Sequence, residues 1–154
     1  MERIGEPWVA GRPYRDRIGV YGLITGPGGL LCVIQRAEVD GAPIEELQLP
    51  GGGLEPGEPP VAALHRELIE ETGWAISTPR RVGAFQSFTW LWDYRYWARK
   101  VHLVYRARVT MRRGPPREPG HTPLFLPPEI AAEALDVPGD REMVRRALAA
   151  GLLE

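Results

Sequence analysis

A single cysteine, Cys32, leaves this 154-residue chain unable to close an internal disulfide, so its stability has to come from a packed core. Charge of one sign is scarce too: nineteen basic residues stand against twenty acidic ones. A near-neutral chain has no general attraction for membranes, and long nucleic acid is disfavoured as a partner, so a polyanion must be gripped locally and a small molecule is the expected ligand. No apolar run approaches the roughly 20 residues of a membrane-spanning helix, and no amino-terminal stretch has the pattern of a secretory signal. With one cysteine and neither of those segments, a cytoplasmic setting is the expectation. At 44% hydrophobic residues, the length suits one core and is short for two, which predicts a single domain over residues 1–154.

Glycine and glutamate are concentrated in residues 52–74, Gly-Gly-Leu-Glu-Pro-Gly-Glu-Pro-Pro-Val-Ala-Ala-Leu-His-Arg-Glu-Leu-Ile-Glu-Glu-Thr-Gly-Trp. Val61, Leu64 and Leu68 keep the i, i+3, i+7 spacing of a helix packed on one side. Pro59 and Pro60 suit its first turn, and Gly73 suits a left-handed stop. Glu67, Glu70 and Glu71 project from neighbouring positions of the opposite side. Carboxylates at that spacing repel one another, and a hard divalent ion that prefers oxygen ligands, Mg²⁺ or Mn²⁺, turns the repulsion into coordination. Arg66, beside Glu67 and four residues before Glu70, is placed to hold one carboxylate oxygen while a metal takes the other. An acidic helix by itself is most often a solvated face. The glycines, Glu58, Arg66 and Gly73 at fixed offsets point away from that reading.

Gly52, then Glu58 after five residues, then Arg66-Glu67-Leu68-Ile69-Glu70-Glu71-Thr72-Gly73-Trp74 after seven more, resembles the Nudix box at every fixed position, with Trp74 where an aliphatic residue is usual. The preceding Leu47-Gln48-Leu49-Pro50-Gly51-Gly52-Gly53 looks like the family's strand and turn leading into the box. The residues alone say only α+β or mixed α/β. The resemblance implies an α/β Nudix fold, an α/β/α sandwich around a mixed β-sheet. It also implies Mg²⁺-dependent hydrolysis, with Mn²⁺ as a substitute, of the pyrophosphate bond in a nucleoside diphosphate linked to another moiety. By carry-over, Glu67, Glu70 and Glu71 are metal ligands, the Gly51 carbonyl completes the shell and Glu58 supports a second ion through water. Glu67 is also a candidate base, with Arg66 and Glu70 beside it in the catalytic group. Family members differ in their base, and several use an acidic residue outside the box; here Glu118 and Glu129 are the acidic candidates and His121 a non-acidic one. Homodimers are common among Nudix proteins. Two other classes stay open, a catalytically silent nucleotide sensor and a hydrolase or isomerase of a non-nucleotide diphosphate. The complete set of box glutamates favours catalysis.

Along the rest of the chain, Arg17–Thr25 and Leu30–Gln35 read as a strand pair around a Gly-Pro-Gly-Gly turn, and Arg36–Glu45 as a polar loop before a short strand near Leu47. Arg81–Trp90 and Lys100–Thr110 read as strands, Met111–Gly120 as a Pro, Gly and Arg loop, Leu124–Leu126 as a short strand, and Glu129–Leu135 and Asp140–Ala150 as helices. Arg112, Arg113 and Arg117 offer a phosphate grip or a solvated loop. His65 and His102 read as structural. Phe88, Trp90, Trp92, Tyr94 and Tyr96 occupy every second position beside Trp97. They form one face of a continuous strand, or a hairpin with paired rings if the chain turns near Trp92–Arg95. The surface so made suits a base-stacking platform, a core or a dimer contact.

Overall fold

Apolar residues that alternate between two clusters build the centre of the molecule. The computed structural model describes residues 1–153. In β1 (Arg15–Gly26) and β2 (Gly29–Val39), an antiparallel hairpin, Tyr21, Leu23, Leu30 and Cys32 join one buried cluster while Val20, Ile24 and Leu31 join another. Successive strand side chains point to opposite faces, so a strand with two buried clusters is a strand covered on both faces. The sheet continues through β3 (Ala42–Gln48), β4 (Gly51–Gly53), β5 (Trp74–Ile76), β6 (Arg80–Leu91), β7 (Tyr96–Arg112) and β8 (His121–Leu126). Its main path runs β3-β2-β1-β7-β5, with β4 on β1, β6 on β7 and β8 on β2. The β1–β7 pair is parallel and the other pairs are antiparallel, so the sheet is mixed.

Helix α1 (Pro60–Thr72) covers one face through Ala63, Leu64 and Leu68. Helices α2 (Pro128–Ala134) and α3 (Pro138–Ala149) cover the other through Ala131, Ala132, Met143, Val144 and Ala147. This is the α/β/α sandwich. Leu68 is fully buried, so Leu68→Ala is expected to cost roughly 2–5 kcal/mol from lost transfer energy and the cavity left behind. Chemical denaturation measures it, and an unchanged midpoint would show that this face does not pack.

Two expectations need correction. Residues 36–45 form no loop: β2 runs on to Val39, β3 starts at Ala42, and Asp40 and Gly41 make the turn with φ of 51° and 79°. Asp-Gly is a strong two-residue hairpin signal because both positions need positive φ. Val61, assigned to the buried stripe, is 37% exposed; at the first turn of α1 it lies beyond the reach of the sheet. Of the two arrangements open to the aromatic run, the structure has the hairpin: β6 and β7 fold back on each other and put Trp90 opposite Trp97 and Leu91 opposite Tyr96. Cys32 is buried in the core and its thiol is pushed up to about 12 by burial, which makes it inert packing.

Candidate active site

The box residues assemble around Arg66. Its guanidinium gives Nε and Nη2 hydrogen bonds of 2.8 Å to the two oxygens of Glu58, one of 2.9 Å to Glu67, one of 3.2 Å to Glu70 and one of 3.1 Å to the Gly53 carbonyl. A planar fork with five donors suits this work; an ammonium could not span it. The bidentate contact holds the Glu58 carboxyl down at about 2. Both Glu58 oxygens are therefore engaged by Arg66.

Glu67 and Glu71 are buried rather than solvent-facing, which sequence spacing could not show. Strand β4 lies over them. The Glu67 carboxyl comes so close to Gly52 that a Cβ there would sit 2.6 Å from it, so only glycine leaves room. The Gly51 amide donates to Glu71 Oε1 at 2.8 Å, and His121 Nε2 lies 3.1 Å from Glu71 Oε2. Burial, then the neighbouring Glu71 charge, raises Glu67 to about 7; burial raises Glu71 as well, and the Glu71 carboxylate lifts His121 to about 9. Carboxylates pushed toward neutrality by burial and by one another gain most from a cation.

Glu118 reaches this cluster because its loop is tied to the end of α1. The amides of Arg117 and Glu118 donate to the Glu70 carbonyl at 2.9 and 3.0 Å, and the Arg113 amide donates to the Gly73 carbonyl at 2.7 Å. At the far end of the loop, the Arg36 amide donates to the Gly120 carbonyl. Ligand atoms of Glu67, Glu70 and Glu118, and of Glu71, Glu118 and His121, lie within 4.8 Å of one another in two overlapping groups. Oxygen-rich donors of this kind fit a hard divalent cation. Glu129 stands apart: it is exposed on α2, which packs on the opposite face of the sheet from α1. The side chains of Arg112, Arg113 and Arg117 are exposed and do not line the cleft, so they make a solvated loop whose backbone does the anchoring.

The acidic cluster opens into a cleft of about 560 Å³. Trp90, Trp92 and Tyr94 line one part of it, and the last two are each 56% exposed. Phe88 also borders the cleft, and both Phe88 and Trp97 pack edge-on against Tyr14. Arg17 lies between the aromatic hairpin and β4: it stacks on Tyr94 at 4.2 Å and donates to the Tyr96 hydroxyl at 3.0 Å. Tyr21, Ser87, Lys100, His102 and Asp140 line the cleft where it reaches the α3 side. His102 stacks on Phe85 at 4.1 Å, shares a 2.9 Å hydrogen bond with Ser87, and is held neutral by burial. Apart from His102, read as structural, the sequence singled out none of this group. Its members come from β1, β6, β7 and α3, and a lone Asp in a first helical turn reads as an ordinary dipole partner.

Asp140 is raised to about 7 by burial, against the opposing pull of the Leu49 amide and Lys100. The folded protein thus keeps a proton that the unfolded chain releases near pH 4, so stability falls as pH rises from about 4 to about 7. Asp140→Asn removes that term. Its unfolding free energy relative to the natural chain is expected to rise between about pH 4 and about pH 7 in urea titrations, and a constant difference would contradict the assignment.

Among curated proteins, the RNA pyrophosphohydrolase of Cereibacter sphaeroides is 38% identical over 73 residues, 47% of this chain and 41% of the relative. The chain thus spans less than half the length of the curated relatives it matches. Among solved structures, a NUDIX hydrolase from Nitrosomonas europaea superposes with a TM-score of 0.67 at 20% identity, covering 90% of this chain and 92% of that one. The MutT protein of Methanosarcina mazei Go1 gives 0.64 at 23% identity, covering 90% and 96%. At those identities the structures speak for the fold. The NUDIX domain itself matches residues 13–147, a span that holds the arginine hub, the buried glutamates and the loop that delivers Glu118, and so the chain belongs to the NUDIX family.

Proposed function

We propose that this protein is a Mg²⁺-dependent hydrolase of the pyrophosphate bond in a nucleoside diphosphate derivative, with Mn²⁺ as a substitute ion. The observation that carries this reading is the convergence of Glu67, Glu70 and Glu118 within 4.8 Å at a cleft that Trp90, Trp92 and Tyr94 also line. When bound there by Glu67, Glu70, Glu71 and Glu118, a divalent ion supplies charge neutralisation for the diphosphate and acidifies water. Arg66 keeps Glu67 and Glu70 in orientation, and His121 and the Gly51 amide do the same for Glu71. Glu118, exposed on its anchored loop, accepts the proton of the attacking water. Arg17, aimed into the cleft beside Gly53, grips a phosphate oxygen. Trp90, Trp92 and Tyr94 offer stacking surface for a base, worth on the order of 1–3 kcal/mol.

The curated relatives' name brings the 5′ end of RNA onto the substrate panel. That panel comprises nucleoside triphosphates, nucleotide sugars, ADP-ribose, dinucleoside polyphosphates and 5′-triphosphorylated RNA, with phosphate and nucleotide products measured. Release of a nucleoside monophosphate, or of pyrophosphate from an RNA end, is the expected result. Turnover only of non-nucleotide diphosphates would contradict the nucleotide reading.

A further inference from the structure

A second cavity, of about 450 Å³, lies where residues 2–4 pair with β6 beside Gln86 and meet α3. Four arginines line it, Arg3, Arg141, Arg145 and Arg146, against two carboxylates, Glu2 and Glu142. Both carboxylates are engaged by one arginine: Arg146 donates to the two Glu2 oxygens at 2.9 and 2.8 Å and to Glu142 at 2.9 Å. Arg145 stands 4.0 Å from that shared Glu142, and Arg3 and Arg141 form no ion pair among the described residues. Neutral partners hold those two, the Gly5 carbonyl for Arg3 at 3.0 Å and the Leu135 carbonyl for Arg141 at 2.7 Å. Arg141 and Arg145 are also four residues apart on α3, a spacing at which like charges repel. Guanidinium forks held together, with donors to spare and too little counter-charge, suit a phosphate group.

Ile4, Gly5 and Pro138 line this cavity and the catalytic cleft alike, so the two adjoin. They are not one phosphate site. From β4, which lies over Glu67, the order is β1, β7, β6 and then the bridge from Gln86 to Arg3; four strand spacings put roughly 19 Å between the backbones at the two ends. We propose that Arg3, Arg141 and Arg145 form a subsite for a second phosphate of the substrate, carried on the 3′ side of the nucleoside whose 5′ diphosphate is hydrolysed. The side chains at both ends close part of the gap, and the ribose with its 3′ substituent closes the rest. That phosphate has two chemical sources, a 3′-phosphomonoester and the phosphodiester that joins a further nucleotide, and both offer a guanidinium fork two oxygens. The proposal rests on the nucleotide reading above and adds to it the substituent that the substrate carries.

Two measurements on the full chain test it, each made on the natural protein, Arg3→Gln and Arg145→Gln. Both side chains are exposed, so neither change disturbs the core. With Mg²⁺, kcat/KM is compared for nucleoside 5′-triphosphates that carry a 3′-hydroxyl, a 3′-phosphate, or a second nucleotide on the 3′ oxygen. Without metal, equilibrium binding is compared for nucleoside 3′,5′-bisphosphates and 5′-monophosphates. In the natural protein the 3′-phosphate is expected to give an advantage of at least about tenfold in both measurements. Each variant is expected to lower that ratio at least about threefold, and salt raised from about 50 to about 200 mM to shrink it. An advantage confined to the phosphomonoester assigns the subsite to a terminal 3′-phosphate; one shared by the dinucleotide assigns it to a chain. Turnover with no advantage, or an advantage that both variants keep, would overturn the subsite and leave the hydrolase. Arginine-dependent preference for the bisphosphate with no turnover of any nucleotide would uphold the subsite and contradict the hydrolase. Absence of a preference in both measurements would overturn the subsite.

Discussion

Glu71→Gln is expected to lower kcat/KM by on the order of 10²–10³-fold while the fold survives. Glu71 lies at the junction of three things that need its charge. Its Oε1 accepts the Gly51 amide, its Oε2 faces His121, and its carboxylate belongs to one of the two groups able to hold a cation. Glutamine keeps an oxygen for Gly51 and nearly the same volume, so β4 and α1 stay packed. It removes the negative charge that a divalent ion and a protonated His121 both answer to, and burial leaves no water to replace it. The same variant is expected to lose much of the rise in melting temperature that Mg²⁺ gives the natural protein, because an ion that binds only the folded state stabilises it by mass action. Steady-state kinetics and thermal scans with and without Mg²⁺ decide the matter. Full activity at saturating Mg²⁺ would remove Glu71 from the metal assignment.

Gly73→Ala carries the second large effect, on both stability and turnover. Gly73 ends α1 with φ of 75°, and its amide closes the helix on the Ile69 carbonyl. A Cβ there would meet the Gly114 carbonyl oxygen at 1.9 Å, so the loop that passes over the helix end would have to lift. Left-handed strain and the backbone collision together are expected to cost roughly 2–5 kcal/mol. The loop is also the mount of Glu118, through the Arg113, Arg117 and Glu118 amides. Turnover should therefore fall further than unfolding explains, measured as kcat on the fraction still folded. If kcat is unchanged in folded Gly73→Ala protein, Glu118 does not depend on this docking.

What the sequence disclosed follows from how local each feature is. The limits of α1, its proline entry and its glycine stop are set by residues within the helix, and the structure places them as spacing implies. The reach of Arg66 to Glu67 and Glu70 is equally local. His121, by contrast, meets Glu71 because β8 pairs with β2 in a register that sets His121 opposite Gln35, and nothing near residue 121 encodes that register. Glu118 and Glu129 looked alike as loop and helix-start carboxylates. Three backbone bonds to the end of α1 separate them. The β2–β3 hairpin was legible in Asp40-Gly41, but the charged residues around it outweighed that turn signal. Lys100 and Asp140 meet only in the folded protein.

Turnover of the best substrate by the natural protein, Glu67→Gln and Glu118→Gln, each assayed with chelator and again after Mg²⁺ is restored, is the most direct check on the carboxylate centre. The expected result is activity that disappears with chelator, returns with Mg²⁺, and is reduced at least about a hundredfold in both variants; turnover that survives chelation, or that both variants retain, would contradict it.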